Sequence, residues 1–286
     1  MISDQLEKFW SYKPDQDTSS IARPADLFSE FRDRDGSTNK APISTFASVV
    51  NCPYRIVNIG MGHIPRFSRA TIGRMNKGSK AHRKVEKEVI QRVEDSIAKG
   101  GPPDWKRAPS STVSVAAKDL LEAPEVRVSL TVNSLDLRGK ADGLLRRDGV
   151  VVAVERKPRS RVFHPSSTLQ AMSYAIGGCL ALGSESASQG AKWLVSDYGG
   201  SFSHEGSITE GVCDLVKDLG QSYSMLLELG QRNEKMLELP GPSASKCARC
   251  EFQDDCRFSV DSALEDSEMA AEPVWVKYAR PGSDKE

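Results

Sequence analysis

Apolar and polar positions divide the chain into strands and helices. From Pro124 to Asn133 (P-E-V-R-V-S-L-T-V-N) polarity alternates residue by residue, as in a strand with one face buried. Ser134 to Leu145 continues as a second strand, Asp148-Gly149 is a turn pair, and Val150 to Val154 is a β-branched run that reads as a third. A helix around Thr168 to Leu182, a strand over Ala191 to Ser196 and a long helix within Ser207 to Leu239 follow. Upstream, Val85, Val89, Val93 and Ile97 recur every fourth residue within a helix expected over Gly78 to Gly100, and Ser44 or Thr45 caps a short helix entering Phe46 to Cys52. Strands followed by helices in this order predict a mixed α/β core.

The remaining stretches are read from composition. Residues 1–42 are polar and rich in Asp, Ser, Arg and Pro, and read as an arm in which Phe9, Trp10, Leu27 and Phe28 make short helical contacts. Gly100 to Ser114 reads as a loop, and 259–286 as a flexible acidic, then Pro- and Gly-containing tail. The ordered domain is therefore expected over 43–258. No run approaches a membrane span and Met1 to Lys13 has no apolar signal core, which predicts a cytoplasmic protein with no membrane partner.

The strand pattern places Asp142 on the second strand, and Glu155 and Lys157 on one face of the third, adjacent and antiparallel to it. Two carboxylates and an ammonium converging at a strand end suit a hard cation, Mg²⁺ or Mn²⁺, with a lysine beside it to orient a water. His82 falls on the core side of the valine stripe, with Glu86 one turn on. Gln170 and Tyr174 are one turn apart on the helix after the third strand.

Lys and Arg balance Asp and Glu, 39 against 39, so overall charge does not advertise a nucleic-acid partner. Local charge does: eight cations against Glu86 alone between His63 and Lys87, among them Arg66, Arg69 and Arg74, and a second cluster at Arg156, Lys157, Arg159 and Arg161. Trp105, followed by Lys106 and Arg107, is a candidate to stack on a base. Of six cysteines, Cys247, Cys250 and Cys256 form C-x₂-C-x₅-C after the helix-breaking Pro240-Gly241-Pro242. Three thiols need a fourth, for which Cys52 is the candidate, and four thiolates hold Zn²⁺ or an iron–sulfur cluster. Cys179 and Cys213 lack such spacing and read as buried thiols. The chain carries no phosphate-binding P-loop, so any unwinding would come from a partner.

Gly139-x-x-Asp142, then Glu155-x-Lys157, then Gln170-x-x-x-Tyr174, with Gly78-x-x-x-His82 upstream, resembles the core motifs of the PD-(D/E)XK nucleases of the RecB family. The cysteines narrow the resemblance to its iron–sulfur members, the CRISPR-associated Cas-four type of exonuclease and relatives, over roughly Ser44 to Phe258. The resemblance implies a restriction-endonuclease-like α/β core, a mixed central sheet flanked by helices, with a [4Fe–4S] cluster on Cys52, Cys247, Cys250 and Cys256 stapling the two ends together. It implies Mg²⁺ or Mn²⁺ on His82, Asp142 and Glu155, Lys157 at the attacking water, and Gln170 and Tyr174 beside them. It further implies hydrolysis of single-stranded DNA ends, in CRISPR adaptation beside an integrase complex or in repair beside a helicase. Two other readings stay open on the residues alone: a non-catalytic nucleic-acid-binding module held by zinc or an iron–sulfur cluster, and an iron–sulfur redox sensor.

Overall fold

The computed structural model describes residues 2–32, 39–98, 122–147, 149–183, 188–232, 247, 250–252 and 256, without the side chains of 70, 89, 92–98, 122–124 and 146–147. Trp105, Asp148 and the tail 259–286 lie outside the described residues, as do the side chains of Val89, Val93 and Ile97. The protein has a central mixed sheet flanked by helices. No helix among the described residues is long and apolar enough to cross a membrane.

The chain opens on helices α1 (Ile2–Ser11) and α2 (Pro24–Phe31), strand β1 (Asn39–Pro42), helix α3 (Ile43–Phe46) running into a 3-10 turn at Ala47–Val50, and helix α4 (Pro53–Gly60). The long α5 (Arg69–Ala98) follows. The antiparallel strands β2 (Glu122–Val132), β3 (Leu135–Arg147) and β4 (Val150–Lys157) lead into α6 (Pro165–Leu182). Strands β5 (Ala191–Asp197) and β6 (Ser203–Ser207) and helix α7 (Glu210–Arg232) complete the order.

β4 and β5 run parallel, joined by the α6 crossover, and β6 is the antiparallel edge. β3 carries three partners. β2 lines it from Leu135 to Leu145, while β1 pairs with Leu135–Arg138 and β4 with Gly143–Arg147. Since β2 takes one edge, β1 and β4 share the other and leave Gly139–Asp142 between them without a strand neighbour.

The periodicities explain these elements. Val126, Val128, Leu130 and Val132 are buried on β2, while Arg127 and Ser129 are exposed. The β2–β3 turn uses Asn133 and Ser134, both at positive φ (47° and 66°), as a type I′ hairpin requires. α6 is buried on nearly every side, which its run of small and apolar residues permits. α5 begins nine residues before the helix expected from Gly78, because the Ser68 hydroxyl caps it by accepting the Thr71 N–H at 3.2 Å.

Within the stretch read from composition as an arm, residues 2–32 contribute to the core. Leu6, Phe9, Trp10, Leu27 and Phe31 are all in the core, and Phe28 is not among them. Trp10 Nε1 donates to the Val50 carbonyl at 2.9 Å, fixing α1 to the turn before Cys52. Ile2, Leu6, Phe9 and Trp10 fall at i, i+4, i+7 and i+8, a helical apolar stripe that average composition conceals.

Candidate active site

The site forms where β3 and β4 part. Their pairing ends at Gly143↔Val154, and Glu155–Lys157 continue beside β5 alone. The Asp142 carboxylate bridges the split: Oδ2 accepts the Arg156 backbone N–H at 2.6 Å, and the Arg156 guanidinium donates to the Asp142 carbonyl at 3.0 Å. Asp142 Oδ1 faces His82 Nδ1 at 3.2 Å. This contact, working against partial burial, raises the His82 pKa above its ordinary value, and the Asp142 and Glu155 charges add to it.

Glu155 lies one residue beyond the split and is 2% exposed. Oε1 pairs with Lys157 Nζ, while Oε2 is buried with no hydrogen-bond partner. Burial pushes its carboxyl up to about 7, against the opposing pull of the Lys157 charge. A buried carboxylate oxygen without a partner is costly, and here it stands beside a second carboxylate.

The uncovered stretch of β3 is closed by α6. Gln170 Nε2 donates to the Tyr174 hydroxyl at 2.9 Å, and that hydroxyl also takes the Lys140 backbone N–H. The Tyr174 ring lies so close over β3 that a Cβ on Gly139 would come within 2.6 Å of its Cε1. The glycine of Gly139-x-x-Asp142 and the tyrosine of Gln170-x-x-x-Tyr174 are thus two halves of one contact.

His82, Val85, Glu86, Glu125, Asp142 and Arg156 line a small cleft at this edge. Sequence reasoning missed Tyr198, whose hydroxyl lies 3.3 Å from His82 Nε2 and whose ring meets the imidazole edge-on at 5.1 Å. A lone tyrosine in Asp197-Tyr198-Gly199-Gly200 carries no motif. The available signal was register, since Asp197 pairs with Lys157.

The basic residues scatter more widely. Arg66, Arg69 and Arg74 lie on the exposed stretch entering α5, where the Arg66 N–H donates to the Glu251 carbonyl at 2.7 Å and Arg74 to Thr71 Oγ1 at 2.9 Å. Arg159 and Arg161 follow Lys157 in a 3-10 turn, and Arg161 is within electrostatic reach of Glu155 and Arg55.

A second cluster brings Cys52 near Cys247, Cys250 and Cys256. Burial pushes the Cys52 thiol up to about 12, and charge on Cys250, Cys247 and Cys256 adds to the shift, which places all four in one neighbourhood. Asn58 Nδ2 donates to Cys256 Sγ at 3.1 Å and the Phe252 N–H to Cys250 Sγ at 3.5 Å. Arg55, one turn after Cys52, pairs with Glu251 at 2.5 Å. Cys179 and Cys213 are buried elsewhere.

As they stand, no three His, Cys, Asp or Glu side chains among the described residues are arranged around a common metal position. The donor chemistry nonetheless fits such groups. The orphaned Glu155 oxygen beside Asp142 and His82 suits a hard cation completed by water or phosphate oxygens. Four thiols with amide donors aimed at two of their sulfurs suit a thiolate-bound metal.

Fold and site together define a mixed α/β protein with a carboxylate–lysine cluster where two neighbouring strands diverge. No protein-family model matches the chain, and no curated protein matches it. Among solved structures the chain is similar to one described as "Crystal structure of SSO0001", with 13% identity over 91% of this chain and 98% of that one, at a TM-score of 0.35. A likeness of that grade carries no argument about fold or function.

Proposed function

We propose that the protein is a metal-dependent nuclease that hydrolyses phosphodiester bonds at DNA ends, with a restriction-endonuclease-like core and a thiolate-held metal centre joining its two ends. The observation that carries this reading is the Glu155–Lys157 pair, with its unpartnered carboxylate oxygen, set beside Asp142 at the divergence of two strands.

Asp142 and Glu155 would hold Mg²⁺ or Mn²⁺, with His82 at the same edge; when bound, the ion supplies Lewis-acid polarisation of the scissile phosphate. Lys157 would hold and orient a water against that phosphate and stabilise the negative charge that builds on the phosphoryl oxygens as phosphorus becomes pentacoordinate. Tyr198 on one imidazole nitrogen and Asp142 on the other set the orientation of His82. Gln170 and Tyr174 hold β3 at the position from which Asp142 projects. Cys52, Cys247, Cys250 and Cys256 would hold an iron–sulfur cluster, [4Fe–4S], in a structural role. Trimming of single-stranded ends for CRISPR adaptation or repair, with an integrase or helicase as partner, is the biological setting this activity would serve.

The test is degradation of end-labelled single-stranded DNA by anaerobically purified protein, with Mn²⁺ or with EDTA. Wild type is expected to cut only with Mn²⁺, and Lys157→Ala to lose at least about a hundredfold in rate, the scale of one positioned catalytic group. Equal activity of wild type and Lys157→Ala, or none in either, overturns the nuclease reading.

A further inference from the structure

Beside the end of β4, the turn that carries Arg159 meets the β5–β6 hairpin. The Arg159 guanidinium carbon lies over the Phe202 ring, 3.4 Å from its centroid. Next to it Phe163, 36% exposed, leans on His204 with centroids 5.3 Å apart. His204 in turn meets the fully buried Trp193 edge-on at 4.9 Å, which anchors the row in the core. The row begins two residues after Lys157, and Asp197, paired in register with Lys157, opens the hairpin that carries Phe202 and His204. Asp197 Oδ1 accepts the Phe202 N–H at 3.0 Å, which ties the mouth of this hairpin.

A planar cation stacked on an aromatic ring and an exposed phenyl beside it, flanked by a second arginine, have the composition of a base-stacking surface. We propose that this row seats an unpaired DNA strand as it approaches Lys157. Bases stack on Phe163 and on the outer face of the Arg159 guanidinium, and Arg161 neutralises an adjoining phosphate. A duplex buries its base faces in its own stack and offers none to such a surface. The proposal rests on the nuclease reading and deepens it, assigning the residues that would receive the unpaired strand.

The test needs no cleavage: fluorescence anisotropy of a labelled oligo-dT of about 15 nucleotides in EDTA. Wild type is expected to bind it more tightly than a duplex of the same length. Phe163→Ala, and Phe202→Leu, which keeps apolar volume without an aromatic face, should each weaken binding about fivefold or more. On an oligonucleotide carrying abasic sites that penalty should vanish, because no base remains to stack. Variants that bind like wild type, an equal penalty on the abasic strand, equal affinity for the duplex, or a ring-dependent preference for oligo-rU each overturn the proposal. Stacking-dependent binding without metal-dependent cleavage would sink the nuclease reading alone, and cleavage with unaltered binding by the variants would sink this one alone.

Discussion

Glu155 concentrates the chemistry of the site in one side chain. It is buried and one oxygen has no partner, so ionising it in the metal-free protein is unfavourable despite Lys157. Its folded pKa, about 7, lies above the ordinary value of 4.5. The stabilisation from holding that proton is therefore complete below about pH 4.5 and is lost as pH rises through about 7. Comparing wild type with Glu155→Gln isolates this group. In EDTA, wild type is expected to lose on the order of 2 kcal/mol relative to the variant between pH 5 and pH 8, read from thermal unfolding. At pH 8, Mn²⁺ should raise the wild-type melting temperature and leave Glu155→Gln nearly unchanged, because only the ionised carboxylate offers the orphaned oxygen to a cation. The Glu155–Lys157 pair was legible in the sequence, since alternation along a strand fixes a shared face. Tyr198 was not, because its contact with His82 joins residues 116 apart in sequence.

At the scale of elements, the site depends on a strand pairing that stops. β3 and β4 separate after Gly143↔Val154, β1 pairs along β3 only as far as Arg138, and α6 fills the interval with Tyr174. Gly139 is the position that permits this. In Gly139→Ala the added methyl meets the Tyr174 ring, and also Ile43 at 3.1 Å. The expected cost is about 1–3 kcal/mol, measured by chemical denaturation, and if the proposed nuclease activity holds, its rate should fall as Asp142 shifts. Gly73→Ala is the matched control: it meets nothing within 4 Å on a helix and is expected to stabilise by about 0.5–1 kcal/mol. The strands from β2 to β5 and the α6 helix were readable because period-two alternation and a continuous apolar run are local signals. The gap between β1 and β4 was not, because it depends on which two segments share one edge of β3.

At the scale of the whole molecule, the first helices complete the core. Leu6, Phe9, Trp10, Leu27 and Phe31 are buried, and each large apolar side chain is worth about 1.5–3 kcal/mol on burial. Deleting residues 2–32 is therefore expected to leave a protein without a cooperative unfolding transition, as followed by circular dichroism. The proposed thiolate centre acts at the same scale, drawing Cys52 together with Cys247, Cys250 and Cys256. Cys52→Ala is expected to abolish any absorbance near ~400 nm in anaerobic protein and to cost up to about 5 kcal/mol, by analogy with a crosslink closing a long loop. A zinc centre would instead give a colourless protein with stoichiometric zinc.

The sequence by itself determined strands β2 to β5, helix α6, the outlines of α5 and α7, and the chemical types singled out for the site: acid, acid, lysine and four spaced thiols. These follow from alternation, apolar periodicity and spacing, each set within about twenty neighbouring residues, with Cys52 the distant exception. Only the tertiary structure decided that β3 stands partly uncovered, that Tyr174 rather than a strand satisfies Lys140, that Tyr198 meets His82, and that the first helices complete the core. The physical reason is that backbone hydrogen bonds and buried polar atoms must find partners wherever the fold brings them, and the identity of those partners is a property of the packed chain.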